Sequence, residues 1–182
     1  MEVAAKFRTA AARDWVQQME ETCALLGGIV SIINPAQFES GIACIEAIRS
    51  HPAKVAKREY LEELLETWTS PYVAFSIMNN RDTPLHRDNK GGYRSMDLLT
   101  SVGNYINGRF SMPGLGIEFW YRPGSVIGIA GRVVRHGATA EGERLCIAQY
   151  MRENVLKAVN VSEPDWSRIP ELPLSSLSSL EK

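Results

Sequence analysis

The chain of 182 residues has a formal net charge of −1, with 45% hydrophobic and 23% charged residues. That composition supports one domain with a full core and lacks the basic excess by which nucleic-acid-coating proteins displace counterions. Cys23, Cys44 and Cys146 are odd in number, far apart and free of any Cys-x-x-Cys pair, which excludes a disulfide framework or zinc ribbon and makes a reducing intracellular compartment the default.

The first third reads as helices. Trp15, Met19, Cys23 and Leu26 recur at helical spacing. The apolar run Ala24 to Ile33 is short, contains Gly27 and Gly28, and is expected neither to span a membrane nor to act as a signal peptide. Asn34-Pro35 supplies an N-cap and a first-position proline for a second helix with Phe38, Ile42 and Ile45 on one face. A third helix is expected from near Pro52, striped by Leu61, Leu64, Leu65 and Trp68, and His51 beside it reads as a surface or capping residue.

After Ser70-Pro71 the pattern changes to short apolar runs: Tyr72 to Met78, Met96 to Val102, Arg109 to Met112, Ile117 to Tyr121, Ser125 to Ala130 and Leu145 to Met151. Asn107-Gly108 signals a hairpin, and Arg122-Pro123-Gly124-Ser125 a type II turn. Helices followed by strands imply an α+β chain, its N-terminal helices packed on one face of a β-sandwich or barrel. The expected parts are a helical support region over 1–70, a catalytic core over 71–161 and an irregular Ser- and Pro-rich tail over 162–182.

The chemistry concentrates at His86-Arg87-Asp88. In an extended strand residues two apart point the same way, so the His86 imidazole and Asp88 carboxylate can grip one metal ion. His136, fifty residues on, completes a facial triad that leaves about three positions of an octahedral Fe(II) free, enough for a bidentate oxo-acid and dioxygen. Arg144, eight residues beyond His136, offers a bidentate guanidinium to the distal carboxylate of a dicarboxylate cosubstrate, with Gly142 allowing a tight turn into the last strand. Along that strand Arg144, Cys146, Ala148 and Tyr150 share one side. The small residues leave room for the cosubstrate, and Tyr150 either presents its ring or hydroxyl to a flat substrate or packs as an ordinary core tyrosine.

Other readings of these motifs fail. His-Arg-Asp opens the protein-kinase catalytic loop, but the asparagine required five residues after Asp88 is Tyr93, and no Gly-rich loop or Asp-Phe-Gly is present. Neither Gly-x-Ser-x-Gly nor a phosphate-cradling Gly-x-x-x-x-Gly-Lys-Ser/Thr occurs. Arg81, Arg87, Lys90, Arg94, Arg132 and Arg135 give the triad's surroundings a basic character, which reads either as a ligand-attracting mouth or as ordinary solvated charge.

From about Trp68 to Glu153 the chain resembles the Fe(II)/2-oxoglutarate-dependent dioxygenases, and within them the TET/JBP branch, which oxidises methylated pyrimidines, as found in fungi. The resemblance rests on Trp68-Thr69-Ser70, Asn80, His86-Arg87-Asp88, Gly103-Asn104-Tyr105, Met112-Pro113-Gly114-Leu115-Gly116, Pro123-Gly124-Ser125, His136-Gly137 and Gly142-Glu143-Arg144 with Tyr150. It implies a double-stranded β-helix (jelly roll) with His86, Asp88 and His136 as catalytic iron ligands, and Arg144 and Cys146 on 2-oxoglutarate. It also implies Fe(II), 2-oxoglutarate and O2 as cofactors, methylated DNA or RNA as partner, and Tyr150 stacked on a flipped 5-methylcytosine. Relatives carry Asn or Asp five residues after the first ligand; here that position is Gly91, so Asn89 or Asn80 is expected to read the base edge, with Arg87, Lys90, Arg94 and Arg135 on phosphates. A nuclear location goes with the nucleobase substrate. The alternatives are a 2-oxoglutarate-dependent hydroxylase of a small molecule or protein side chain, and a non-catalytic cupin-like binding module.

Overall fold

The computed structural model describes residues 3–51, 55–89 and 91–166. They group into two units, one holding the residues up to Pro71 and from Asn154 onward, the other Tyr72–Glu153. The expected helix start near Pro52, Lys90 and the tail beyond Trp166 lie outside the described residues.

The first unit is helical: α1 (Ala10–Gln18), α2 (Glu20–Ile33), α3 (Pro35–Ser50), α4 (Arg58–Glu66) and, after the strands, α5 (Glu153–Val159). The periodicity from Trp15 to Leu26 predicts one continuous helix, yet the helix breaks at Met19, and Glu20 and Glu21 open α2 where negative charge suits the exposed N–H groups. Asn34 caps α3 as expected, its side-chain oxygen accepting the Gln37 N–H at 3.1 Å with Pro35 in the first turn. Among the described residues no helix is long and apolar enough to cross a membrane.

The second unit is one antiparallel sheet of β1 (Ala74–Asn79), β2 (Thr83–His86), β3 (Asp97–Met112), β4 (Ile117–Trp120), β5 (Ser125–Ile129) and β6 (His136–Tyr150). The long strands β3 and β6 run side by side. β3 pairs with β5 along its first part and with β4 along its last, while β6 pairs with β2 at its start and β1 at its end. Long strands flanked by short ones at both ends make the jelly roll of an α+β chain.

Two expected strands are one. Met96 to Val102 and Arg109 to Met112 read as separate strands joined by an Asn-Gly hairpin, but β3 runs straight through, and Asn107-Gly108 forms a β-bulge. The pairing with β6 shifts between Ile106 and Arg109, and Asn107 has φ 53°. An inserted residue flips the alternation of side chains. Asp97, Leu99 and Ser101 before the bulge therefore face the same way as Phe110 and Met112 after it. Gly142 likewise marks no turn: it lies inside β6 with φ 114°, paired with Tyr105, so both His136 and Arg144 belong to one strand. The Arg122–Ser125 turn forms as expected, the Ser125 N–H donating to the Arg122 carbonyl at 3.0 Å with Gly124 at φ 85°.

Candidate metal centre and cosubstrate cavity

His86 ends β2 directly opposite His136, the first residue of β6, and their ring centroids are 4.5 Å apart. Asp88 lies just past the strand end, where its N–H donates to the Gly131 carbonyl at 3.0 Å. The Asp88 carboxylate then reaches both rings, Oδ1 at 3.2 Å from His86 Nε2 and Oδ2 at 3.6 Å from His136 Nε2. One donor atom from each of the three residues lies within 4.8 Å of the others.

Backbone carbonyls aim the imidazoles. His86 Nδ1 lies 2.9 Å from the Pro84 carbonyl and His136 Nδ1 3.0 Å from that of Val134, in both cases two residues back. A carbonyl only accepts, so in the neutral rings Nδ1 carries the proton and the Nε2 lone pair is left for a metal. His136 is buried and stacked on Phe110 at 5.6 Å, whereas the His86 and Asp88 side chains are 37% and 35% exposed. Two neutral nitrogens and one carboxylate converging from one side fit a non-haem Fe(II) ion.

These three residues line a cavity of about 370 Å³ that Arg144 also lines. Arg144 is buried in the middle of β6. Its Nε donates to Ser101 Oγ at 3.0 Å and its Nη1 to the Arg81 carbonyl at 3.4 Å, and its guanidinium carbon lies 4.9 Å from the Tyr121 ring centroid. Cys146 lies one step further along the same face, its Sγ 3.7 Å from the Tyr121 hydroxyl. Burial pushes the Cys146 thiol up, partly offset by Tyr121 and Arg144, so it stays protonated.

The remaining candidates divide. Tyr150, Asn89 and Arg87 line the cavity. The Tyr150 hydroxyl is 3.2 Å from Ser76 Oγ and accepts from Arg152 at 3.2 Å. Arg87 spends its Nε on the Val133 carbonyl at 2.9 Å. Asn80 is not brought to the cavity. Its Oδ1 accepts the Arg144 N–H and its own N–H donates to the Arg144 carbonyl, both at 2.7 Å, so it clasps the backbone of β6. Among the basic residues Arg132 is committed to the Gly91 carbonyl at 2.8 Å and to Glu153 at 3.6 Å.

Sequence reasoning passes over two buried residues. Asp97 packs against Asp88, and burial first, then the charge and hydrogen bond of Asp88, push its carboxyl up to about 8. Its signal is an acidic residue opening a strand whose neighbours are all apolar. Tyr121 follows β4, with its N–H donating to the Gly108 carbonyl at 2.9 Å, and no local pattern links it to Arg144.

A comparison of sequences finds no match among curated proteins. Among solved structures the chain is similar to NgTET1 in complex with 5mC DNA, with a TM-score of 0.58 at 12% identity, over 97% of this chain and 63% of that one. The likeness is one of fold, and this chain spans about three fifths of that protein's length. Residues 3–153 match the family model of the Tet_JBP oxygenase domain of the 2OGFeDO superfamily. The chain belongs to this Tet_JBP family of oxygenase domains in the 2OGFeDO superfamily.

Proposed function

We propose that this chain is a 2-oxoglutarate-dependent dioxygenase that hydroxylates the methyl group of a modified nucleobase, 5-methylcytosine in DNA or RNA. The observation that carries the reading is one cavity lined by His86, Asp88 and His136 and also by Arg144. In this reading the first three hold Fe(II), and Arg144, with Cys146 beside it, takes the distal carboxylate of 2-oxoglutarate. The iron, when bound, supplies dioxygen activation with 2-oxoglutarate as the co-oxidised partner. The chain's own residues position and exclude. The Pro84 and Val134 carbonyls keep both Nε2 atoms turned toward Asp88, and Leu99, Phe110 and Ala148 give the cavity an apolar wall that sheds water.

The space supports a single base as substrate. Small-ligand sites run from about 300 to 1,000 Å³, so this cavity suits a keto acid and one extruded pyrimidine rather than a duplex. Extrusion costs a few kcal/mol, which stacking on an aromatic face offsets. Tyr150, its hydroxyl held between Ser76 and Arg152, offers that face, and Asn89 and Arg87 line the same cavity. The exposed Arg81, Arg87, Arg94 and Arg135 serve the phosphates, which makes binding salt-dependent. The likeness to a protein solved with 5mC DNA adds support. A nuclear site of action goes with a DNA substrate.

Incubation with methylated and unmethylated oligonucleotides, Fe(II), ascorbate and 2-oxoglutarate tests the proposal by mass spectrometry of released nucleosides. Oxidised 5-methylcytosine is expected from the methylated strand only. Succinate formation without any oxidised base, in DNA or RNA, would overturn the nucleobase assignment and leave the family membership untouched.

A further inference from the structure

Asp97 opens β3 and is 4% exposed, yet its side chain lines the cavity. One edge of its carboxyl is occupied by a hydrogen bond with Asp88. A Cβ on Gly131 would collide with Oδ2 of both Asp88 and Asp97, so the glycine is what lets the two carboxyls meet along that edge. The other edge is free: Asp97 Oδ1 is buried and has no hydrogen-bond partner among the described residues. A buried acceptor without a donor is costly, and one that faces a cavity calls for a donor from a ligand.

Gly91 keeps that edge open. A Cβ there would stand 3.6 Å from Oδ1 and 3.5 Å from Oδ2, so a longer side chain at 91 would pack on the carboxyl, whereas glycine leaves it facing the cavity that both residues line. Arg132 Nη1, donating to the Gly91 carbonyl at 2.8 Å, holds this stretch of backbone in place. The asparagines nearby are less suited to the task, since Asn80 is committed to the backbone of β6 and Asn89 is exposed. We propose that Asp97 Oδ1 accepts a hydrogen bond from the exocyclic amine of the substrate base, so that this chain reads the base from the start of β3 instead of from position 91. This rests on the nucleobase reading given above and supplies its specificity: a base with a carbonyl in place of the amine would bring a second acceptor against Oδ1 with no hydrogen between them. The placement suits the reaction. In 5-methylcytosine the amine and the methyl group sit on adjacent ring carbons, and Asp97 touches Asp88, so a base held by its amine keeps its methyl group at the metal end of the cavity.

Fluorescence anisotropy on the full chain loaded with Mn(II) and N-oxalylglycine, an unreactive analogue of 2-oxoglutarate, reads binding without turnover. The probes are single-stranded DNA and RNA oligonucleotides carrying 5-methylcytosine, 5-methyluracil or 5-methylpyrimidin-2-one, which lacks the amine, at one position. The parent is expected to bind the 5-methylcytosine strand about 10-fold more tightly than the other two. Asp97→Leu removes the acceptor and is expected to bind all three alike. Asp97→Asn, whose amide can donate to Asp88 and keep its oxygen toward the cavity, is expected to retain the preference. Each ratio is taken within one protein, so a general loss of fold or metal cancels. Failure of the parent to bind any of the strands would sink the nucleobase reading itself. Binding by the parent without preference for the amine, or an Asp97→Leu variant that keeps the parent's preference, would overturn the Asp97 assignment alone.

Discussion

The two polar ends of the cavity are built on opposite plans. At the metal end the polar groups face one another: Asp88 sits between two imidazoles, two of the three side chains are more than a third exposed, and backbone carbonyls do the aiming. At the cosubstrate end a guanidinium is 4% exposed and, among the described residues, has hydroxyl and carbonyl partners but no carboxylate. Water can relax the metal end until an ion arrives. In the proposed reading the other end presents a buried positive charge for an incoming anion to neutralise.

The sharpest break in the comparison is at Asp88. Asp88→Ala removes one ligand and the sole negative charge between the two imidazoles, and metal affinity is expected to fall by more than about 100-fold, beyond the usual loss for a supporting residue. Oxidation activity goes with it. Titration of Fe(II) or Mn(II) into the metal-free protein checks this. Retained affinity would mean that the three residues are not the metal site.

Much of the metal end is legible in the sequence because its information is local. His86 and Asp88 are two positions apart, and strand alternation turns Arg144, Cys146, Ala148 and Tyr150 to one side. What escapes is register. Asn107-Gly108 reads as a hairpin because both hairpins and bulges need a residue at positive φ. Only pairing with a third strand, β6, decides between them. Missing the bulge hides both the continuity of β3 and the placement of Tyr121. Asn80 misleads for a related reason: its proximity to the triad in sequence says nothing of the two hydrogen bonds that commit it to the Arg144 backbone. The helix α5 escapes because Glu153–Val159 spans too few turns for a periodic stripe.

A second, smaller effect concerns the carboxylates of the metal end. The Asp97 carboxyl, raised from 3.8 to about 8 by burial and by Asp88, keeps its proton in the native protein where an unfolded chain has lost it. Its contribution to stability is complete below about pH 4 and is lost as pH rises through about 8. Denaturant unfolding of the metal-free protein is therefore expected to show lower stability at pH 8 than at pH 5. Asp97→Asn, uncharged at both, flattens that slope. An unaltered slope in the variant would place the titrating group elsewhere.

The smallest effect tests the other half of the comparison, and its sign is what matters. If Arg144 is a buried cation waiting for an anion, Arg144→Met exchanges an uncompensated charge for an apolar side chain of similar length. Ser101 Oγ and the Tyr105 hydroxyl keep each other as partners at 2.8 Å, and Asn80 still clasps the backbone at 144. The variant is then expected to be as stable as the parent without cosubstrate, or more so by about 1 kcal/mol, in line with other buried ionic groups replaced by apolar ones. Saturating 2-oxoglutarate reverses the order, since it stabilises only the protein that binds it, by about 2.7 kcal/mol at a hundred times its dissociation constant. Thermal unfolding of parent and variant, with and without 2-oxoglutarate, measures both. A variant much less stable in the absence of cosubstrate would show that Ser101 and the Arg81 carbonyl already satisfy the guanidinium, and that the two ends of the cavity differ less in charge compensation than in exposure.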